Sequence, residues 1–384
     1  MTWSPMAVLA NVELRAGIGN DVAALVPAAD PRVVALKRQH RNFRRFLQRF
    51  SDNFGERFEP AVLLLDDGAP AAFRSVGAVA SFRDLIAISA VIHGRARALH
   101  RGTRHGIVFG ESLALYPWMI DRHYEGLVSI TPAQRSAADV DAFRGQSSPQ
   151  LNRADLDDAD LDEPLLEMLM ARWSRHYRSA NREWSDLALF RSLNMAYQAS
   201  LMPAGVDTIV HDLGRTLALW VAAFEILTHP GRSRSGSARD RVFALIERTP
   251  WLLENSAARD YQTGDRKNPA QRTLSSWLYQ LLNNHRNDFL HGEPIEPDGL
   301  ILPEPRRPIL DYAAPLYRIA LTGFLPLQRP GPVPPLDDAE AFGAAVARHR
   351  VEEAHQRIVE EALLTAVRPA RARPTRSRRI RHAS

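Results

Sequence analysis

No cysteine occurs anywhere in the 384 residues. Disulfides, thiolate nucleophiles and cysteine-based zinc sites are therefore excluded, and the cytoplasm is the expected setting. Lysine is nearly as scarce: Lys37 and Lys267 are the only two, so almost all positive charge is arginine. Long apolar runs are missing too. The longest, Leu217 to Phe224, falls far short of the roughly 20 residues that span a bilayer. The opening MTWSPMAVLANVELRAG has neither the basic start nor the unbroken apolar stretch of a secretory signal, so no membrane partner is expected. Also absent are a phosphate-cradling Gly-rich loop with Lys, a His-Glu-x-x-His pair and a nucleophile elbow. Their absence argues against nucleotide hydrolysis, zinc proteolysis and ester hydrolysis.

What is present has an ordinary globular balance, 45% hydrophobic and 24% charged, in a chain long enough for two or three units. The net charge of +5 is unevenly placed. Residues 368–384 hold Arg368, Arg371, Arg373, Arg376, Arg378, Arg379 and Arg381 with no acid, and without those seven charges the rest carries −2. Such a tail is expected to be disordered in isolation and suits a polyanion such as nucleic acid.

The patterning predicts an α+β protein: a mixed α/β domain over residues 1–150, then an all-α helical bundle over 151–325. A proline-rich linker (326–336), a C-terminal helix (337–367) and the Arg-rich tail (368–384) follow. Asp30-Pro31 reads as a helix start, with Asp as the cap and Pro at the first helical position. In the segment it opens, Leu36, Phe43, Leu47, Phe50 and Phe54 share one face. Lys37, Arg38, Arg41, Arg44, Arg45 and Arg49 occupy the other, either as a phosphate-contacting surface or simply as a solvated one. Ala61 to Leu65 before Asp66-Asp67-Gly68 predicts a buried strand and turn. An apolar helix over Phe82 to Ile92 is expected to end near Gly94, and Gly106–Ala114 and Tyr124–Ile130 read as strands. His93, His100 and His105 match no metal-ligand spacing, so no metal or other cofactor is expected. FRGQSSPQ, 143–150, has the composition of a linker. The acidic run from Asp155 to Glu163 fails the calcium-loop pattern, which needs Gly at its sixth place and Glu at its twelfth, and is expected to cap the helix Pro164–Tyr177. Further helices are predicted over 183–201, 206–228, 240–247 and 311–325.

The most informative stretch is LSSWLYQLLNNHRNDFLHGE, Leu274 to Glu293. Leu274, Leu278, Leu281, Leu282, His285 and Phe289 recur at helical spacing, and Gly292 followed by Pro294 marks the end. Asn287 and His291 share a face, while Arg286 lies about 140° from His291 on a straight helix. Arg-x4-His occurs three times, at Arg95/His100, Arg286/His291 and Arg350/His355. Only the central copy has a polar residue after the Arg, Phe-Leu before the His and Gly behind it.

That pattern, RNDFLHG, resembles the HEPN superfamily, whose Arg-polar-x3-His motif closes a helix in a small bundle. LALWVAAFEILTHPG upstream and PILDYAAPLYRIALTGFL downstream look like flanking helices of the Apea-like branch, so the resemblance covers about 186–325. It implies RNA binding or metal-independent RNA cleavage, with Arg286, Asn287 and His291 as the catalytic set. Arg and His would supply a phosphate-binding cation and a proton shuttle, and Asn287 would orient the imidazole or bind the ribose. The resemblance further implies a homodimer that brings two motifs together, and a defence or toxin role with an antitoxin or regulatory protein as partner would fit. Glu225 stands on an otherwise apolar helix, where a buried carboxylate needs a partner. Arg286 is the candidate, whether to hold the guanidinium for function or only to neutralise a structural pair. The competing reading of the whole is a non-catalytic dimerisation scaffold with a nucleic-acid-binding tail.

Overall fold

The computed structural model describes residues 2–9, 12–50, 57–102, 118–120, 127–128, 154–156, 158–201, 210–231, 237–264, 269–294, 296–327, 334–335 and 337–367. The protein is α+β, with a mixed N-terminal region followed by helices. The N-terminal strands are β1 (Trp3–Leu9), β2 (Val12–Leu14), β3 (Ile18–Gly19), β4 (Ala23–Val26) and β5 (Ala61–Asp66), followed by β6 (Trp118–Ile120) and β7 (Leu127–Val128). Six form one antiparallel sheet in the order β3-β4-β5-β1-β6-β7. Strand β2 pairs separately, in parallel, with β8 (Ala154–Leu156).

Strand periodicity divides the sheet's side chains between two cores. Val8, Ala24, Val26, Val62 and Leu64 point to one face, where they meet Val33, Leu36, Phe43, Phe46, Leu47 and Phe50. Those partners lie on α1 (Pro31–Gln39), on α2 (Arg41–Leu47) and just beyond it. Asp30 caps α1 as predicted, its Oδ1 accepting from the Arg32 N–H at 2.9 Å. Ala7, Leu9, Ala23, Leu25, Ala61, Leu63 and Leu65 point to the opposite face, towards α3 (Val76–Arg101).

Helix α3 runs on past Gly94 and stops at Gly102, in the left-handed region at φ 71°. Ala96 and Leu99 are buried in the core, and that packing outweighs the cost of a mid-helix glycine. By length and composition α3 could cross a membrane, but 72% of its apolar window is buried inside the protein. Its two buried charges are handled internally: Arg83 Nε bonds Asp84 Oδ1 at 2.7 Å, and Asn194 donates to Asp84 Oδ2 at 3.0 Å.

The remaining helices among the described residues are α4 (Glu163–Arg178), α5 (Trp184–Ser200), α6 (Val210–Leu227), α7 (Ala238–Ile246), α8 (Glu254–Ala257), α9 (Leu274–Leu290), α10 (Ala313–Phe324) and α11 (Ala339–Leu364). A short hairpin, β9 (Tyr261–Thr263) with β10 (Ala270–Arg272), precedes α9. Helix α3 packs against α4, α5, α10 and α11, so the larger core crosses the expected division at residue 150 without a break. The acidic run does supply a cap: Asp162 accepts from the Leu165 N–H of α4 at 3.2 Å. The same carboxylate pairs with the fully buried Arg318 of α10, which also reaches Glu352 of α11 at 2.8 Å. Gly106–Ala114, 143–150, His105 and the tail 368–384 lie outside the described residues, as do most of Tyr124–Ile130 and of the proline-rich linker.

Candidate functional site

Both ends of α9 are fixed by local chemistry. At its start the Thr273 side chain accepts from the Ser276 N–H. At its end the Glu293 N–H bonds the Asp288 carbonyl at 2.9 Å and the Gly292 N–H bonds the Phe289 carbonyl at 3.2 Å, with Gly292 at φ 81°. This double closure needs a left-handed residue, which glycine adopts without strain. It leaves His291 as the exposed C-cap, next to Leu290, which is 58% exposed.

The predicted stripe turns inward. Leu274, Leu278 and Leu282 are buried, and Tyr279 joins them between Phe224 and Phe243. Leu281, His285 and Phe289 are only partly covered. Burial lowers the pKa of His285, against the opposing charge of Asp288. Helix α6 crosses closely here, because Gly214 leaves room for the Phe289 ring where a Cβ would collide with it.

That crossing brings Glu225 of α6 to Arg286. Arg286 Nη2 donates to Glu225 Oε1, and Nη1 donates to Asn287 Oδ1 at 3.0 Å. The two charged side chains are 17% and 29% exposed, so the pair is sheltered but still wetted. The Tyr279 hydroxyl beneath is buried with no hydrogen-bond partner among the described residues. Burial, then the Glu225 charge, pushes its pKa up, so it stays a neutral phenol.

Glu225, Arg286 and Asn287 open onto a pocket of about 270 Å³, whose other walls are Asn283, Ser237, Ala238 and Arg239. Ser237 caps α7, accepting from the Asp240 N–H at 3.4 Å, so the positive end of that helix borders the pocket. Two guanidiniums, two carboxamides and one carboxylate therefore line a polar recess open to solvent. The set can bind a phosphate or a ribose by charge-assisted and neutral hydrogen bonds.

No protein-family model, curated protein or solved structure matches this chain.

Of the predicted site residues, Arg286, Asn287 and Glu225 meet, whereas His291 lies beyond the residues that line the pocket. The seven tail arginines, Arg368 to Arg381, lie outside the described residues. His93 lies against His355 with tilted rings whose centres are 5.1 Å apart, and His100 Nδ1 sits 2.9 Å from Glu361. Among the described residues no three His, Cys, Asp or Glu side chains are grouped to hold a metal. Asn283 and the Ser237–Arg239 turn are the pocket residues that sequence reasoning did not single out. Asn283 stands one turn before Asn287, so the i, i+4 rule applied backwards from the motif would have found it. Ser237 is an ordinary N-cap residue three places ahead of the predicted start at Asp240.

Proposed function

We propose that this protein binds RNA through its helical bundle and cleaves it without a metal ion, as an HEPN-like endoribonuclease acting as a homodimer. The observation that carries this reading is the clamped Arg286, whose guanidinium is oriented by Glu225 and Asn287 at the edge of an open polar pocket. A pre-oriented cation suits a phosphate whose charge builds up as the ribose 2′-hydroxyl attacks. In that step the 2′-hydroxyl gives up its proton to water as its oxygen forms a bond to phosphorus, the bond to the 5′-oxygen breaks, and the departing oxygen takes a proton from His291. The products are a 2′,3′-cyclic phosphate and a 5′-hydroxyl. His291, exposed at the helix end, is free to serve the pocket of a second copy across a two-fold axis. A cytoplasmic setting goes with the cysteine-free composition, and a defence or toxin role with a regulatory partner is consistent with the resemblance.

The test is purified full-length protein with single-stranded RNA in EDTA, with the product ends analysed. Cyclic-phosphate ends support cleavage. RNA left intact both in EDTA and with added divalent metal removes it. One feature favours a second reading, a non-catalytic dimerisation scaffold: the Arg286 guanidinium bonds the sheltered Glu225 carboxylate, as expected of a group that merely neutralises it. The scaffold reading inherits the weight if no cleavage is seen.

A further inference from the structure

The helices on the outer face of the sheet carry a charge distribution that neither core nor pocket uses. From Pro31 to Phe50 there is no acidic residue, although the chain outside the tail is slightly negative overall. Two of the cations in this stretch are neutralised: Arg32 Nε lies 2.9 Å from Asp30, and Lys37 Nζ 2.7 Å from Glu59. Arg38, Arg41, Arg44 and Arg45 are exposed, and none pairs with a carboxylate among the described residues. On α2, Arg41, Arg44 and Arg45 fall within an arc of about 100°. Phe43, Phe46 and Leu47 occupy the opposite side and are buried against the sheet.

We propose that this arginine face of α1 and α2 is a docking surface for the phosphate backbone of single-stranded RNA, a deepening that rests on the RNA reading above. Charge complementarity chooses a polyanion, since like charges held on rigid elements at close spacing repel unless counter-charge covers them. A lipid surface is the poorer fit. An amphipathic helix enters a bilayer with its apolar side, and here that side is already spent on the sheet. Arginine offers forked donors suited to phosphate oxygens. The sheet separates this face from α3 and the bundle, so RNA held here is held at a surface distinct from the Arg286 pocket. Docking away from the chemistry would hold a long strand while one of its phosphates is cleaved elsewhere.

The experiment compares the full-length protein with its Arg41→Gln/Arg44→Gln/Arg45→Gln variant. The probe is a fluorescein-labelled 2′-O-methyl RNA of about 20 nucleotides, which lacks the attacking hydroxyl and stays intact. Anisotropy over a range of salt concentrations reads the affinity and its slope. The expected result is at least a tenfold loss of affinity near 0.1 M salt and a slope shallower by about 2, since each contact on a single strand contributes about 0.7. The triple Arg→Lys variant keeps the charge and should recover most of the binding. Thermal melting of each variant checks the fold. Equal affinity and slope in wild type and the glutamine variant overturns the surface while leaving RNA binding to the pocket or tail. Wild-type protein that ignores the RNA but binds phosphatidylserine vesicles overturns both the surface and the RNA reading.

Discussion

Arg286 is held from two sides, by Glu225 and by Asn287, and the energy of that clamp separates chemistry from support. Because both charged partners are partly wetted, a double-mutant cycle of Arg286→Ala and Glu225→Ala should give a coupling of about 1 kcal/mol in urea unfolding. Arg286→Ala is expected to cut RNA cleavage by roughly 10² to 10³. His291→Ala should abolish cleavage while shifting stability by no more than about 0.5 kcal/mol, since the side chain is exposed. A large loss of stability with His291→Ala would contradict this placement. A second residue governs acid stability. Burial first, then the neighbouring His355 charge, lowers the His93 pKa to about 4. The unfolded chain therefore takes up this proton near pH 6.5 and the folded one only near 4. The contribution of neutral His93 is full above pH 6.5 and is lost as the pH falls from 6.5 to 4, on the order of 3 kcal/mol. Urea midpoints at pH 7 and pH 5 should differ less in His93→Gln than in wild type.

At the scale of elements, the α6–α9 crossing sets the site. Gly214→Ala would drive the Phe289 ring away and shift the helix that carries Arg286. An overpacked contact of this kind costs about 1–3 kcal/mol. The expected outcome is a lower melting temperature together with weakened cleavage, although Gly214 does not line the pocket. The C-terminal helix α11 is held differently. Its Glu360 carboxylate accepts the Leu252 and Leu253 N–H groups at 2.9 Å each, and its Glu352 shares Arg318 with Asp162. Arg318→Met would leave two buried carboxylates facing each other, and breaking such a network costs roughly 3–5 kcal/mol. Arg348→Ala, which removes an exposed pair with Glu167, should change stability by less than about 0.5 kcal/mol. Urea unfolding of the two variants checks the contrast.

For the whole molecule, the sheet lies between a basic helical layer and a bundle whose polar pocket sits at the other side. A dimer formed beside the α9 terminus would cover Leu290, the most exposed large apolar residue among those described. Leu290→Glu is therefore expected to sediment as a monomer and to lose cleavage, while wild type sediments as a dimer at micromolar concentration. A wild-type monomer at that concentration removes the composite site. On the proposed function, deleting 368–384 should flatten the salt dependence of RNA binding without lowering single-turnover cleavage at saturating protein, as expected if its seven arginines act through counterion release.

Local chemistry was legible in the residues alone. The Asp30 cap, the β5 strand before its acidic turn, the Asp162 cap and the α9 stripe with its glycine stop each follow from neighbours a few positions apart. Spacing and residue type fix such features before any long-range contact forms. The sequence also flagged Glu225 as a carboxylate in need of a partner and Arg286 as the candidate. Only the tertiary structure decided that they meet across 61 positions, that α3 outruns Gly94, that α11 folds back onto α3, and that the Ser237 turn and Asn283 complete the pocket. Those outcomes depend on which helical faces press together. A face is chosen by the summed burial of many residues far apart in the chain, and no local window contains that sum.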